Sequence, residues 1–356
     1  MKISLWLAAS IAFIAATACS PPSCAQSRTP EDVSPPTRLK RFETRTQAMG
    51  SNLDMVLYAE SLDAARAAFE NAIDCLERHS IPLNHYVAES EVNQLPSLSA
   101  RSPRPISPVL ARAIERSRQW FGWSQGAFDS TQRETIQLWS RARRLKTLPD
   151  PEAIQKALQR STWEKIELRE DAQRSMTITH EGPRLSLDVG GLAVGLLLDD
   201  MMLAIRESGI TSALINAGGD IIVSDPPPNR EGWSISVAGL QWGDAPLLNV
   251  ELRNGAITSS GDLNQFAMID GVRYGHIIDP RSGRPVSQRR SVTVIADQAI
   301  DADAGATALA ALGHEESFRL SERMPIREVY YLWLPENETN PHFRTWVYPS
   351  VNAPTR

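Results

Sequence analysis

Two pairs of neighbouring glycines are the first feature of the sequence that suggests chemistry. Gly190-Gly191 and Gly218-Gly219 each follow a short apolar stretch, residues 185–189 and 213–216. Glycine lets a backbone approach a ligand closely, and a helix that begins at the first pair favours an anion at its N-terminus. One interpretation is a phosphate-bearing cofactor. The other is that the glycines only complete backbone turns, because neither named nucleotide-binding loop, GxGxxG or GxxxxGKS/T, occurs at these pairs.

A second feature is a pair of oxygen-bearing side chains in an alanine-rich segment. Asp303 and Thr307 stand four residues apart in the stretch DADAGATALAALG, which has the apolar spacing of a helix. Residues four apart lie on one helix face, so both side chains can reach one point. The alternative is that Asp301 or Asp303 is a helix N-cap and Thr307 a surface residue.

The elements that would position these residues can be inferred from periodicity. The alternation of Leu185, Leu187 and Val189 with polar residues predicts a strand, and the spacing of apolar residues after Gly191 predicts a helix that is capped by Gly209. A second strand over residues 213–216 leads to the second glycine pair. Further short strands follow in series up to about residue 278, so the predicted class is α+β, with mainly antiparallel or mixed sheets and packed helices in a single two-lobed body.

Several motifs occur in one order and at regular spacing, and together they resemble the ApbE family, the FAD:protein FMN transferases. The motifs are DVGGLAVG, INAGGDI, ITSSGD, HIIDPRSGRPV and DADAGATALAALG, and the likeness runs from about residue 49 to residue 334. The resemblance implies transfer of FMN from FAD, as substrate, to a threonine hydroxyl of an exported redox protein, with release of AMP. It also implies a Mg²⁺ ion, because cleavage of a pyrophosphate must neutralise several negative oxygens.

The resemblance assigns roles to individual residues. It implies Asp303, Thr307 and the main-chain carbonyl of Gly191 as metal ligands. It implies His276 as general base, since a histidine can take a proton near neutral pH. It implies contacts with the flavin cofactor by the following residues: Met49, Tyr86, Ala127, Phe128, Asp129, Asp188, Val194, Asn216 and Ile277.

Three of these roles have a simpler alternative. Tyr86 is in other contexts more often a half-buried surface residue than a stacking one. Asp129 could instead cap the helix that follows it. His276 could form an orienting hydrogen bond to the flavin, or could simply be a strand residue.

The chain departs from the family pattern at the expected cofactor contacts. Val194 stands where the pattern GGxAKG has a lysine, and valine offers neither charge nor a side-chain donor. Gln132, Arg133 and Glu134 replace small and apolar residues. An active transferase is therefore weighed against a non-catalytic flavin-binding accessory lipoprotein and against an FAD pyrophosphatase that uses water as nucleophile.

The N-terminal residues predict export. Lys2 precedes an apolar run over residues 3–18, which is too short to span a membrane and resembles a secretory signal within residues 1–25. The run ends in Ala16-Thr17-Ala18-Cys19, which resembles a lipobox, so Cys19 is expected to carry a lipid on the periplasmic side of a bacterial membrane. Cleavage after Ala25 is the alternative. Residues 26–41 are predicted to be a flexible tether and residues 42–348 the transferase domain.

Composition excludes several other classes. The 356 residues carry a formal net charge of −5, without a long run of Lys and Arg, so nucleic acid is not an expected partner. Of the 3 cysteines, Cys75 is the one certain to remain after cleavage, so neither a disulfide framework nor a cysteine metal site is predicted. The expected partners are FAD, an acceptor protein and, through the lipid, a membrane.

Overall fold

A computed structural model describes residues 39–97, 101–160, 163–170, 175–181, 184–237, 239–240, 246–262, 266–335 and 338–348. The predicted signal sequence, Cys19 and most of the tether lie outside the described residues. Within the part of the chain that is described, no helix combines the length and apolar character needed to cross a membrane.

The main sheet has eight strands, and every neighbouring pair is antiparallel. Its order is β1, β2, β6, β7, β10, β15, β16, β17, with bounds Lys40–Ala48, Ser51–Ala59, Ala213–Ala217, Asp220–Val223, Gly255–Gly261, Arg290–Ala296, Glu328–Trp333 and His342–Val347. The smaller sheets contain β3 (Arg104–Ile106), β4 (Ile166–Glu170), β5 (Met176–His180), β8 (Trp233–Val237), β9 (Leu248–Leu252), β11 (Phe266–Ile269), β12 (Val272–Gly275), β13 (Ile278–Asp279) and β14 (Arg284–Pro285). The predicted α+β class is confirmed, and the predicted domain limits stay a prediction.

Eight α-helices accompany the sheets in the described part of the chain. They are α1 (Leu62–Leu83), α2 (Glu91–Gln94), α3 (Pro108–Trp123), α4 (Arg133–Leu145), α5 (Pro151–Arg160), α6 (Gly190–Glu207), α7 (Ala299–Ala311) and α8 (His314–Ser321). Helix α6 packs against α1, α3 and α7, and α7 in turn packs against β10 and β15. The predicted helix after Gly191 and its end near Gly209, which has φ of +82°, are confirmed.

The predicted strand over residues 185–189 is wrong. Leu185, Leu187 and Val189 are buried, as their alternation indicates, but the segment pairs with no strand and has no regular secondary structure. Its backbone is held instead by hydrogen bonds to other segments, among them one from Asp188 N to Ser130 O, at 2.7 Å, and one from the side chain of Arg133 to Leu187 O. Alternation reports a buried face, and a loop that crosses the core can produce the same pattern as a strand.

Candidate functional site

Two carboxylates, Asp303 buried and Asp220 partly buried, form the centre of the site. Asp303 lies in α7 and its Oδ2 accepts a hydrogen bond from Gly195 N in α6, at 3.1 Å. Asp220 is the first residue of β7 and is hydrogen-bonded to Thr258. Burial raises the pKa of Asp220 to about 6, and burial together with the negative charge of Asp220 raises the pKa of Asp303 well above its usual range. A cation beside the two groups would offset both the desolvation and the repulsion.

A hydroxyl and a glycine backbone complete an oxygen-rich cluster. Thr307 Oγ1 lies 3.4 Å from Ser260 Oγ. A Cβ atom on Gly191 would lie 3.3 Å from Thr307 Cγ2 and 3.0 Å from the ring of Phe128, so a glycine allows the α6 backbone to approach α7 here. Carboxylate, hydroxyl and carbonyl oxygens are the ligands that Mg²⁺ prefers. No group of three or more His, Cys, Asp and Glu side chains suited to a metal occurs among the described residues, so an ion here would rely on hydroxyl and backbone oxygens as well.

The helix-capping alternative for Asp303 is wrong. Helix α7 begins at Ala299, and Asp199 of α6 accepts hydrogen bonds from Ala299 N and Ile300 N, at 2.8 and 2.9 Å. Asp301 does not cap the helix either, because it accepts hydrogen bonds from Arg116 and Trp120. Asp303 therefore lies in the second turn of α7 with no capping role.

Helix α6 begins at the first glycine pair, and the side chain of Asp188 accepts a hydrogen bond at the N-terminus of this helix. Asp188 Oδ1 accepts a hydrogen bond from Gly190 N at 2.9 Å and lies 3.0 Å from His85 Nε2. Burial opposes ionisation of Asp188, but His85 and the N–H of Gly190 outweigh it and lower the pKa of this carboxyl. Asp188 is therefore a fixed negative group beside the helix N-terminus.

A cavity of about 710 Å³ lies next to His85. This volume is within the range of small-molecule sites. Tyr86 lines the cavity and is 99% exposed, so its ring is accessible to a planar ligand rather than half-buried as the simpler alternative expects. The other lining residues are His85, Ala88, Asn93, Pro96, Arg133, Glu134, Gln137, Arg184 and Ser186.

The segment from Gly126 to Asp129 lies against the first glycine pair. Ala127 and Phe128 are buried, and the ring of Phe128 contacts the backbone at Gly191. Asp129 Oδ1 accepts hydrogen bonds from Thr131 N at 2.9 Å and Thr131 Oγ1 at 2.7 Å. Asp129 thus caps the short 3₁₀ turn that precedes α4, as its alternative interpretation expects, and its contact with a cofactor stays a prediction.

The second glycine pair forms the turn between β6 and β7. Asn216 Oδ1 accepts a hydrogen bond from Gly219 N at 3.0 Å, which fixes the turn. Gly218 N donates to Asn52 O at 3.1 Å, and Met49, with φ of 52°, occupies the neighbouring turn between β1 and β2. Met49 and Asn216 thus lie at the same end of neighbouring strands, where Asp220 begins β7.

Three residues with a predicted role in the site are buried or partly buried. His276 is partly buried in the link between β12 and β13, next to Gly275, where a Cβ atom would lie 3.3 Å from Asp262 Cβ. The side chain of Ile277 packs in the main core. Val194 is partly buried against the same core, one turn into α6.

Three residues that the structure adds to the site were not assigned from the sequence. Asp220 had a signal, because it directly follows the second glycine pair. His85 and Arg133 had none beyond their position beside assigned segments, because a single histidine or arginine is common on any surface.

Known proteins resemble this chain over most of its length. The sequence model of the ApbE family matches residues 49–331. A Treponema pallidum (strain Nichols) protein named FAD:protein FMN transferase is 28% identical over 303 residues, which are 81% of this chain and 83% of the relative. The crystal structure of Pseudomonas stutzeri flavinyl transferase ApbE, apo form, has 25% identity and a TM-score of 0.74, over 87% of this chain and 95% of that chain.

A further solved structure agrees in fold. The flavin transferase ApbE from Vibrio cholerae is 22% identical and has a TM-score of 0.75, over 88% of this chain and 98% of its own. Because the family match covers well over half of the sequence, from residue 49 to residue 331, the chain belongs to the ApbE family.

Proposed function

We propose that the chain is a Mg²⁺-dependent FAD:protein FMN transferase that moves FMN from FAD to a threonine hydroxyl of an exported redox protein and releases AMP. The observation that carries the proposal is the cluster of Asp303, Asp220 and Thr307 oxygens beside the first glycine pair. Burial raises the pKa of both carboxyls, and the charge of Asp220 further raises that of Asp303, which makes the cluster suited to a divalent cation. The names of the relatives support the same activity.

The transfer breaks the phosphoanhydride bond of FAD and forms a phosphate ester bond to the threonine. The threonine oxygen attacks the phosphorus of the FMN half, the bond from that phosphorus to the bridging oxygen breaks, and AMP leaves with the bonding electron pair. His276 takes the threonine proton as general base. Asp303, Thr307 and the carbonyl of Gly191, with Asp220 adjacent, would hold the Mg²⁺ ion, which when bound would neutralise the phosphate oxygens.

The remaining assigned residues position FAD. Tyr86 offers an exposed ring for stacking on the flavin, and Asp188 orients the first glycine pair. Other contacts come from the turn of the second glycine pair and from the segment before α4, with the following residues: Met49, Ala127, Phe128, Asp129, Asn216 and Ile277. Such positioning is a major part of the catalysis of phosphoryl-type transfer.

The test uses the purified full chain with FAD and Mg²⁺, with and without a protein that bears an acceptor threonine. The expected result is AMP together with a flavin-labelled acceptor, and loss of both when a chelator removes the metal. AMP without a labelled acceptor would replace the proposal by an FAD pyrophosphatase. FAD binding without AMP would indicate a non-catalytic flavin-binding protein, and no binding at all would refute any flavin role.

We also propose that the mature protein begins at Cys19 and is held at the periplasmic face of a membrane by a lipid. The support is the lipobox-like sequence at the end of a signal-sized apolar run. Mass spectrometry of the mature N-terminus tests it. A soluble chain that begins at Gln26 would contradict the lipid anchor and leave export intact.

A further inference from the structure

Arg133 is placed where it can contact a ligand in the cavity beside His85. It is the first residue of α4 and lines the cavity. Its guanidinium donates to Leu187 O at 3.4 Å and to Asn93 Oδ1, both of which are uncharged acceptors. The ion pairs seen within the described residues include none to Arg133, so no carboxylate lies within 4.0 Å to neutralise it.

A second cation lines the same cavity. Arg184 is exposed there. Burial is the main cause that lowers the pKa of Arg133, and the charge of Arg184 lowers it further by a smaller amount. The nearby carboxylates are already engaged, since Glu134 pairs with Arg160 at 3.0 Å and Asp188 with His85 at 3.0 Å. The charge of Asp188 raises the pKa of Arg133 by more than the charge of Arg184 lowers it, although Asp188 forms no ion pair with Arg133. The cavity wall therefore carries two guanidinium groups, of which Arg133 is partly buried and has no ion pair among the described residues, an arrangement that an anion between them would stabilise.

The cavity and the carboxylate cluster lie beside successive residues of the first glycine pair. A Cβ atom on Gly190 would lie 3.7 Å from His85 Nε2 in the cavity wall, whereas one on Gly191 would contact Thr307. Successive Cα atoms are about 3.8 Å apart. A single dinucleotide is long enough to occupy the cavity and to reach Thr307 across this short step.

We propose that Arg133, assisted by Arg184, binds the phosphate groups of FAD and supplies the positive charge that Val194 does not. This inference rests on the proposed function, because it names how that substrate is held. The planar guanidinium fork matches two phosphate oxygens, which a half-buried arginine binds with little loss of side-chain entropy. Val194 offers only an apolar side chain packed against the core.

The test compares FAD with riboflavin, which lacks phosphate, as ligands of the full chain. Arg133→Gln is expected to weaken FAD binding by about ten- to a hundredfold, as for a lost charge-assisted hydrogen bond, and to change riboflavin affinity by less than about twofold. The matched control is Arg144→Gln, which removes the same charge from an exposed position eleven residues further along α4. That variant is expected to bind FAD as the wild type does.

Arg184→Gln is the second variant, because its side chain is exposed. It is expected to weaken FAD binding by about two- to fivefold and to leave the melting temperature unchanged. Unchanged FAD affinity in both variants, or an equal loss for FAD and riboflavin, would overturn the role of Arg133 while the transferase function stands. Absence of FAD binding in the wild type would instead overturn the proposed function itself.

Discussion

Gly195→Ala tests whether the close contact between α6 and α7 builds the site. Gly195 N donates to Asp303 Oδ2, and a Cβ atom at this position would lie 2.3 Å from Ala299 O and 2.7 Å from the Cα of Ile300. These are backbone atoms, which cannot rotate away as a side chain can. The two helices must therefore separate by roughly 1 Å to restore an ordinary contact distance of about 3.5 Å.

The size of the effect follows from two opposing contributions. Overpacking of a core by a methyl group costs about 1–3 kcal/mol, and the gain in helix propensity from Gly to Ala offsets up to about 1 kcal/mol of it. The free energy of unfolding is expected to fall by about 1–2 kcal/mol. For a large single domain, a loss of this size should lower the melting temperature by about 2–8 °C.

Chemical denaturation and thermal melting measure the change, and Mg²⁺-dependent FAD binding measures its effect on the site. Binding should weaken, because separation of the helices lengthens the hydrogen bond to Asp303. The control is Gly122→Ala in α3, where an added Cβ meets no atom within 4 Å, so its stability should stay the same or rise by about 0.4–1 kcal/mol. A Gly195→Ala protein as stable as the wild type, with unchanged FAD binding, would refute the reasoning.

Three further outcomes are expected. Asp303→Ala should abolish the stabilisation of the protein by FAD with Mg²⁺, and Thr307→Val should reduce it less; equal shifts of melting temperature in wild type and Asp303→Ala would show that the metal assignment is wrong. Val194→Lys should tighten FAD binding by about tenfold if the new ammonium reaches a phosphate, and titration would contradict this if affinity falls because the charge is buried unpaired. Burial raises the pKa of Asp199 to about 6, so its carboxyl binds a proton more tightly in the folded state than in the unfolded state. Ionisation of Asp199 should therefore remove up to about 3 kcal/mol of stability as pH rises from about 4 to about 6, and Asp199→Asn should show a correspondingly shallower slope than the wild type in denaturation measured across that range.

The parts of the fold that the sequence predicted are those that periodicity specifies. Helix α6 follows the three- and four-residue spacing of its apolar side chains, and it ends at Glu207, two residues before Gly209, whose positive φ suits glycine. The segment over residues 185–189 misled the same reasoning, since its alternation arises from burial without a strand partner. Local pattern reports which face is buried, whereas strand pairing depends on residues far away in sequence.

The candidate site shows the same division. Asp303 and Thr307 could be placed on one helix face because four residues make about one turn. Asp220 could not be paired with Asp303, because the two lie in β7 and α7 and meet only when α7 packs beside the sheet. The sequence likewise did not predict that Arg133 and Arg184 line one cavity, because they belong to segments that only the fold brings together.

The burial of Asp303 in helix α7 affects the stability of the folded chain. Nearly every residue of α7 is buried, and apart from Asp301, Asp303 and Thr307 its sequence is built from alanine, glycine, leucine and isoleucine. Asp301 is compensated by Arg116 and Trp120, so its burial has a structural partner. Asp303 has a single backbone donor, Gly195 N, and faces the like charge of Asp220, so in the folded chain it costs stability that an apolar residue would not. A proton or a cation can offset this loss of stability. A cation does so while the carboxylate of Asp303 keeps the negative charge that binds the cation. The unfavourable burial of Asp303 within an otherwise apolar helix is therefore what the proposed cation site would explain, and the packing of the fold alone does not account for it.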